Sequence, residues 1–346
     1  MTIRLADHTT LGVGGPADDF VFAATEAQLI EQVITGDQVG RPLLLIGGGS
    51  NLVCGDDGFD GTVVALGVRG LTFTAAPDFV DVVAACGESW DDLVAHTALC
   101  GWAGIEALSG IPGLVGATPI QNVGAYGQDV SHTITQVRAL DRSSGLVVDL
   151  TAADCAFTYR GSVFKEQPER WVVLEVTFRL MVGGESDVRY AQLAEELGIE
   201  VGATATPSQI REAVLRLRRA KGMVLDPDDP DTSSVGSFFT NPIVGDEAAA
   251  ALPTDCPRYP APAGVKVSAA WLIEHAGVTR GWRARSDSRA AISSKHTLAI
   301  ANLGGASASE VLELASAVKD RVQVAFGVEL EAEPRFINCE LPRSAG

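Results

Sequence analysis

Three consecutive glycines, Gly47 to Gly49, set the strongest constraint on how this chain can fold. They follow four apolar residues, 43–46, a run that is too short for a helix and is typical of a buried strand. The next apolar run, residues 62–66, predicts a second strand. We therefore expect the glycine segment to be a tight connection between two elements of a sheet.

The residues of this connection suit an anionic ligand. Glycine adopts positive φ and has no Cβ, so main-chain N–H groups can approach an oxyanion, and Ser50 and Asn51 add short polar side chains. A diphosphate is the ligand that such a segment predicts. The spacing does not match the dinucleotide fingerprint G-x-G-x-x-G, and no Gly-Lys-Ser/Thr follows as in a Walker loop. An ordinary glycine-rich turn explains GGGSN alone equally well.

A second glycine-dense segment spans residues 104–130, with the sequence GIEALSGIPGLVGATPIQNVGAYGQDV. Its apolar residues follow neither helical nor strand periodicity, and they would be exposed if the segment were a linker. We expect a buried loop whose backbone packs on a flat ligand, with Gln121, Asn122 and Tyr126 offering polar contacts. A tight crossing through the core is the alternative interpretation.

The remaining pattern alternates helices and strands. Thr206 and Pro207 begin a predicted helix that runs to about Lys221, with Thr206 as its N-cap. Ser307 begins another predicted helix with a capping box, and Gly327 is expected to end it. Residues 226–234, DPDDPDTSS, predict a polar hinge.

The charge limits the choice of partners. The chain of 346 residues has 26 Lys and Arg against 44 Asp and Glu, a formal charge of −18, which argues against nucleic acid or an anionic membrane as partner. No apolar run approaches the roughly 18 residues of a membrane span. Because the N-terminus lacks a secretory signal pattern, we expect a cytoplasmic protein. The six cysteines form no C-x-x-C pair and no metal-ligand spacing with histidine, so we predict reduced thiols and no metal site.

A basic run interrupts this acidic composition. Residues 211–221, REAVLRLRRAK, contain five cations in eleven positions. A solvated helix face is one interpretation of such a run. A cationic pocket for an anionic ligand is the other, because an acidic protein needs a local concentration of positive charge to bind an anion.

The motifs together resemble one known family. In chain order they are NLVCGDDGFDGTVV after GGGS, IPGLVGATPIQNVGAYG, YRGSVFK, VGSFFTNP, a YP…VKVSAAWLIE stretch and LEAEPRFI. Each motif is weak alone, but the ordered set, from about residue 10 to residue 337, resembles that of the UDP-N-acetylenolpyruvoylglucosamine reductases, also called UDP-N-acetylmuramate dehydrogenases. The tyrosine in VRYAQL resembles the substrate-loop tyrosine of one of the family's two subtypes.

The resemblance implies an α+β fold with three parts. The expected parts are a two-part FAD-binding region of the vanillyl-alcohol-oxidase (PCMH) type and a C-terminal α+β substrate-binding domain. Residues 1–70 would form FAD-binding subdomain 1 and residues 71–205 subdomain 2. Residues 206–338 would form the substrate-binding domain, whose last strand returns to the active site, and residues 339–346 a tail.

The activity that the resemblance implies is the reduction of UDP-N-acetylenolpyruvoylglucosamine to UDP-N-acetylmuramate in peptidoglycan synthesis. The cofactor would be FAD, with NADPH as co-substrate and a UDP-sugar as substrate. The FAD is expected to be non-covalent, because we recognise no motif for covalent attachment. A monomer is the expected assembly.

The resemblance also implies the site residues. The catalytic positions would be Arg160, Ser237 and Glu333. The FAD contacts would be Gly47, Gly48, Gly49, Ser50, Asn51, Ile111, Pro112, Gly113, Gly116, Ala117, Gln121, Asn122, Gly124, Tyr126 and Gly127. The substrate contacts would be Tyr126, Tyr190, Arg218, Lys221, Asn241, Tyr259, Lys266 and His296.

Two departures from the family pattern bear on these assignments. Thr240 stands in GSFFTNP where many members have a lysine. Glu331 lies two residues before Glu333, so the catalytic assignment depends on the spacing to the following Arg-Phe-Ile.

The implied reaction explains the residue types. Hydride addition to the enolpyruvyl vinyl carbon moves an electron pair towards the substrate carboxylate, which Arg160 can hold in a fork geometry. A protonated Glu333 can donate a further hydrogen bond to the developing charge. Ser237 can deliver a proton to the adjacent carbon at short range.

Two other functions remain open from the sequence. An enzyme of the same FAD fold could oxidise another alcohol or sugar, and it would not need a proton donor opposite the flavin. A UDP-sugar-binding flavoprotein without catalysis is the second alternative.

Overall fold

The computed structural model describes residues 3–342, and the chain divides into two units. The central unit contains residues 19–48 and 60–220. The terminal unit contains residues 3–18, 49–59 and 221–342. The chain passes between the units within the glycine segment, after Gly48. The terminal unit is therefore built from three separate stretches of chain.

The described residues contain both helices and strands. The α-helices are α1 Glu26–Val39, α2 Trp90–Leu99, α3 Val163–Glu166, α4 Ala191–Leu197, α5 Pro207–Ala220, α6 Asp246–Ala251, α7 Ala269–His275 and α8 Ala308–Phe326. The strands are β1 Ala17–Ala23, β2 Leu43–Ile46, β3 Leu52–Cys54, β4 Phe59–Leu66, β5 Leu71–Ala75, β6 Phe79–Ala85, β7 Trp102–Ala103, β8 Gly124–Ala125, β9 Gln128–Asp129, β10 Ile134–Asp141, β11 Leu146–Thr151, β12 Trp171–Val182, β13 Ser186–Asp187, β14 Thr204–Ala205, β15 Ser234–Ser237, β16 Ile243–Val244, β17 Arg258–Ala261, β18 Gly264–Val267, β19 Ala290–Ile292, β20 Ala299–Asn302 and β21 Arg335–Ile337. Short 3-10 turns lie at Leu5–His8, Glu106–Leu108, Val115–Ala117, Val130–His132 and Pro230–Thr232.

Helix ends follow the capping chemistry that the sequence predicts. Helix α5 begins at Pro207, and the Thr206 hydroxyl accepts a hydrogen bond from Gln209 N at 3.4 Å. Helix α8 has the predicted capping box at its start, and it ends at Gly327 with φ 67, in the left-handed region. These local predictions are confirmed.

The central unit is organised by an antiparallel sheet with strand order β11-β10-β12-β6-β5, to which β7 adds by pairing with β12. Side chains of successive strand residues point to opposite faces. Val172 and Leu174 of β12 therefore pack in the core that contains Leu29 of α1, and Val173 packs in the core that contains Leu93 of α2. A long buried strand separates two hydrophobic cores.

The predicted strand at residues 43–46 is confirmed as β2, and the run at 62–66 lies within β4. These two strands pair in parallel, with Leu43 opposite Thr62 and Ile46 opposite Ala65, and β1 completes a three-stranded sheet in the order β1-β4-β2. The glycine segment consequently begins at the carboxyl end of a parallel strand.

The core of the terminal unit surrounds α7 and α8. Leu272 of α7 and Val318 of α8 pack with Phe238, and the same cluster contains Leu11 and Val53 from the two early stretches of chain. Strands form the sheets β15-β20-β19 and β16-β18-β17, and β21 pairs in parallel with β3. Distant segments thus share one core.

The segment predicted as a polar hinge is a folded turn. The Thr232 hydroxyl donates to Asp226 O at 2.8 Å, and Asp231 and Thr232 are buried. Short polar side chains that bond to nearby backbone groups order such a segment without apolar residues, and its role as a hinge stays a prediction.

None of the helices within residues 3–342 combines the length and the hydropathy that crossing a membrane requires. The tail predicted at residues 339–346 lies partly outside the described residues, which end at 342.

Candidate active site

Arg160 lies in a tight turn of the central unit. Thr158 N donates to Gly161 O at 3.0 Å, and Gly161 N donates back to Thr158 O at 3.3 Å. The guanidinium donates from Nη2 to Gly124 O at 2.8 Å and from Nη1 to Asn122 O at 3.5 Å. The cationic head is therefore held against the loop predicted to line the flavin.

Backbone strain concentrates around the same loop. Asn122, Tyr126 and Arg160 have φ values of 44°, 49° and 55°, and only Ala156 and Asn338 share this left-handed region among the non-glycine residues at 3–342. Such conformations cost about 1–2 kcal/mol each, and they cluster where structure is constrained for function. Three of these five strained positions are predicted site residues.

The two glycine-rich segments lie side by side within the central unit. A Cβ on Gly48 would lie 2.9 Å from the Cα of Gly113, and a Cβ on Gly47 would lie 3.2 Å from Leu114 Cδ1. A side chain at Gly48 would separate these backbones. The segment predicted to bind a diphosphate and the loop predicted to pack on a flat ligand are therefore neighbours. Both fit FAD, which contains a diphosphate and a flat ring system.

The loop from Ile111 to Gly127 is ordered by backbone hydrogen bonds. Val115 N donates to Glu88 O and Gly116 N donates to Cys86 O, both at 2.9 Å. A Cβ on Gly116 would lie 2.5 Å from the Cβ of Cys86, which explains the glycine there. Val115 and Gly116 are buried, but Ala117 and Ile120 are exposed. The loop is therefore only partly the buried segment that we predicted.

Tyr126, Tyr190 and Arg218 form a cluster in the central unit. The two tyrosine rings make an edge contact with centroids 5.4 Å apart. Burial raises the pKa of the Tyr126 phenol, against the positive charge of Arg218, which lowers it. Burial also lowers the pKa of the Arg218 guanidinium, and Tyr126 and Asp91 oppose that shift. Three predicted substrate contacts are thus brought together by the fold.

The basic run divides between the two faces of α5. Arg218 is buried with Val214 and Leu217, whereas Arg219 is exposed and Arg216 pairs with Glu196 at the surface. A solvated helix face therefore describes only part of the run.

Asp91 anchors the inner face of α5. Its carboxylate accepts bonds from Arg211 at 2.6 and 3.0 Å and from Gly110 N at 2.6 Å. Burial alone would raise the pKa of Asp91, but these hydrogen bonds outweigh it and lower the pKa overall. Two guanidiniums, Arg211 and Arg218, thus act on the Asp91 carboxylate.

In the terminal unit, the segment that follows Ser237 pairs with the segment that contains Glu333, through an isolated bridge between Phe239 and Ala332. Ser237 ends β15, and the next residue, Phe238, accepts a hydrogen bond at its carbonyl from Glu333 N at 2.9 Å. Phe238 and Phe239 are buried, so they anchor the chain on the C-terminal side of Ser237. The structure brings these two predicted catalytic residues together.

The glycine segment also reaches Glu333. Asn51 donates from Nδ2 to Glu333 O at 3.3 Å, and Asn51 O accepts from Arg335 N at 2.9 Å. Glu333 is half-buried, whereas Glu331 is exposed. Of the two glutamates, Glu333 is therefore the more buried.

The other predicted substrate contacts of the terminal unit are Lys221, Asn241, Tyr259, Lys266 and His296. Tyr259 and Lys266 face each other across β17 and β18, with the ammonium 5.9 Å from the ring centroid. Asn241 Oδ1 accepts from Ala269 N at 2.9 Å at the start of α7, and His296 N donates to Ser293 Oγ at 3.2 Å. Thr240 N donates to Glu331 O at 3.0 Å.

The sequence patterns did not single out the buried carboxylate of Glu106. Glu106 is fully buried, and it accepts from Gly104 N at 2.6 Å and from Gln128 Nε2 at 2.8 Å. Gln128 in turn accepts from Ala107 N at 2.8 Å, so Glu106 joins the start of the glycine-dense segment 104–130 to Gln128, two residues after Tyr126. The signal was a lone charged residue inside the apolar stretch GIEALSG.

Comparison with known families identifies the class of this protein. Residues 17–151 match the family model of an FAD binding domain. Together with the mixed architecture, this match defines an FAD-binding α+β protein, as the sequence predicts. Residues 228–337 match the model described as UDP-N-acetylenolpyruvoylglucosamine reductase, C-terminal domain.

Individual relatives agree with the two models. The chain is 52% identical to a UDP-N-acetylenolpyruvoylglucosamine reductase of Streptomyces coelicolor, over 97% of this chain and 90% of the relative. It is 48% identical to the reductase of Cutibacterium acnes, over 98% and 90%. The crystal structure of the Thermus caldophilus reductase matches with a TM-score of 0.66 and 25% identity, over 97% of this chain and 98% of that one. The chain belongs to the UDP-N-acetylenolpyruvoylglucosamine reductase family.

Proposed function

We propose that this protein reduces UDP-N-acetylenolpyruvoylglucosamine to UDP-N-acetylmuramate with NADPH, in the cytoplasm and in peptidoglycan synthesis. The observation that carries the proposal is the turn of Arg160, where a strained backbone holds a guanidinium against the Asn122 and Gly124 carbonyls. Family membership supports the same reaction. We also propose that the protein is a monomer.

FAD is the proposed cofactor, and it supplies a hydride obtained from NADPH when it is bound. Backbone groups of Gly47 to Asn51 would hold the diphosphate, and the loop from Ile111 to Gly127 would line the flavin. The close approach of Gly48 and Gly113 supports this assignment. We also propose that residues 1–70 and 71–205 form two FAD-binding subdomains and that residues 206–338 form a substrate-binding domain.

Arg160 would hold the carboxylate of the enolpyruvyl group. A guanidinium presents two parallel N–H donors to a carboxylate, and its charge opposes the negative charge that develops there. The turn restricts the motion of the side chain before substrate binds, so less ordering is needed during the reaction.

Ser237 would donate a proton to the substrate carbon next to the carboxylate. A serine hydroxyl is a weak acid, so it must be positioned at short range and reprotonated by water or another acid. The strand end at Ser237 and the buried Phe238 fix its place on the backbone.

Glu333 would donate a hydrogen bond to the same developing charge. It must be protonated for this role. The bonds that its backbone makes to Phe238 O and Asn51 Nδ2 would fix its place.

The substrate diphosphate would bind to cations, chiefly Arg218 and Lys221. Tyr126, Tyr190, Asn241, Tyr259, Lys266 and His296 are the other proposed substrate contacts. The buried position of Arg218 supports this role, since a desolvated guanidinium interacts strongly with an anion.

The decisive experiment mixes purified protein with NADPH and the enolpyruvyl UDP-sugar. We expect a yellow protein that releases equimolar FAD on denaturation, NADPH oxidation that depends on the sugar, and a product two hydrogens heavier than the substrate. NADPH oxidation that consumes oxygen and ignores the sugar would contradict the proposal. Colour that stays with the denatured chain would contradict the non-covalent cofactor.

Lys221→Ala should raise the KM for the UDP-sugar by about tenfold or more, because a charge-assisted hydrogen bond contributes roughly 1.5–3 kcal/mol. Flavin reduction by NADPH should change little. Arg216→Ala is the matched control, since it removes a nearby cation that pairs with Glu196 at the surface. Equal KM values in both variants would show that Lys221 does not bind the substrate diphosphate.

A further inference from the structure

Asn122 makes side-chain hydrogen bonds on two sides of a strained loop. Its Nδ2 donates to Thr158 O at 3.1 Å, and its Oδ1 accepts from Ser131 N at 3.1 Å. The residue is buried, with 6% of its surface exposed. Both ends of the amide are thus used by the protein itself.

Two hydrogen-bond partners of Asn122, Thr158 and Arg160, belong to the turn of Arg160. Thr158 begins that turn, because its N–H and carbonyl pair with Gly161. The backbone carbonyl of Asn122 accepts from Arg160 Nη1 at 3.5 Å. Asn122 therefore touches the base of the turn with its side chain and the guanidinium with its main chain.

The residue type fits this double task. Asn122 has φ 44, a conformation that asparagine and aspartate tolerate better than most residues. Of these two, only asparagine also provides an N–H donor for Thr158 O. Glycine would tolerate the backbone but would leave the turn without that hydrogen bond.

We propose that Asn122 is a positioning residue for Arg160 rather than a contact of the cofactor. It fixes the turn through the hydrogen bond from its Nδ2 to Thr158 O, and the turn in turn holds the guanidinium against Gly124 O. This inference rests on the proposed function, in which Arg160 holds the substrate carboxylate, and it assigns Asn122 a task within that site.

The test compares Asn122→Gly and Asn122→Asp with the wild-type holoenzyme in separate half-reactions. Both variants tolerate the left-handed backbone, and both lose the donor to Thr158 O. We expect the FAD content to equal that of the wild type and the rate of flavin bleaching by NADPH to be unchanged. On adding the enolpyruvyl sugar, recovery of the oxidised flavin absorbance should be slower by about 10- to 100-fold. Loss of FAD with a normal recovery rate would overturn the inference.

A double-mutant cycle asks whether Asn122 acts through Arg160. If it does, Asn122→Gly should slow recovery no further in an Arg160→Ala background. Multiplication of the two single effects would show independent roles and overturn the inference.

Asn338→Gly is the matched control. Asn338 also has positive φ, at 48°, and its Nδ2 donates to Gly58 O at 2.9 Å. We expect a similar loss of stability there but a normal recovery rate. If recovery of the oxidised flavin slowed equally in Asn338→Gly, the effect of Asn122→Gly would reflect general destabilisation, and the positioning role would be overturned.

A crystal structure of Asn122→Gly separates the inference from the proposed function. We expect Arg160 Nη2 to move away from Gly124 O, to which it donates at 2.8 Å in the native chain. An unmoved guanidinium would overturn the positioning role, whatever the substrate is. Failure of the wild-type protein to react with the enolpyruvyl sugar would instead count against the proposed function.

Discussion

In Ser237→Ala, recovery of the oxidised flavin on adding the enolpyruvyl sugar should slow by about 10²- to 10⁴-fold, or roughly 3–5 kcal/mol of barrier. Bleaching by NADPH should proceed at nearly the wild-type rate, because that half-reaction needs no proton at a substrate carbon. The variant lacks the hydroxyl that would supply this proton, so only the second half-reaction is affected.

Stopped-flow absorbance of the flavin measures the two phases separately. Ser234→Ala is the control, since Ser234 lies on the same strand and its hydroxyl accepts from Gly236 N at 3.1 Å. It should lose stability but keep both rates. Recovery at the wild-type rate in Ser237→Ala would show that this serine does not donate the proton. Slowing of both phases would show that Ser237 instead stabilises the flavin site.

Gly49→Ala should lower the free energy of unfolding by about 3 kcal/mol or more. Gly49 has φ 60, and an added Cβ would lie 2.0 Å from His8 O. A left-handed alanine costs about 1–2 kcal/mol, and overpacking adds about 1–3 kcal/mol. The flavin should also bind less tightly, because the segment must shift to relieve the contact.

The matched control for Gly49 is Gly40→Ala. Gly40 has φ 65, but nothing lies within 4 Å of an added Cβ, so only the conformational cost of about 1–2 kcal/mol remains. Urea unfolding of both apoproteins, with FAD content measured beforehand, compares them directly. An equal loss in both variants would mean that the approach of His8 to Gly49 is unimportant.

Local features were predictable from the sequence because their causes are local. The strand at residues 43–46 ends where glycines begin, and the capping box at Ser307 depends on residues three positions apart. The side-chain contacts of Asn122 were not predictable. They join it to Thr158, 36 residues away, and no periodicity encodes such a pair.

The basic run shows an intermediate case. The apolar positions Ile210, Val214 and Leu217 define one face of α5, and Arg218 lies four residues after Val214 on that face. Helical spacing alone could therefore have separated Arg218 from the exposed Arg216. The pairing of β3 with β21 could not be predicted, because it joins strands about 280 residues apart.

That distant pairing has a consequence for synthesis on the ribosome. Residues 19–220 contain the whole central unit and emerge before most of the terminal unit exists. Until residues 235–330 are translated, Leu11, Val13 and Val53 lack most of the core that buries them. Such exposed apolar segments attract chaperones and aggregate more readily. Because β21 begins two residues after Glu333, a chain that stops before Glu333 lacks both its final strand and the proposed catalytic carboxylic acid.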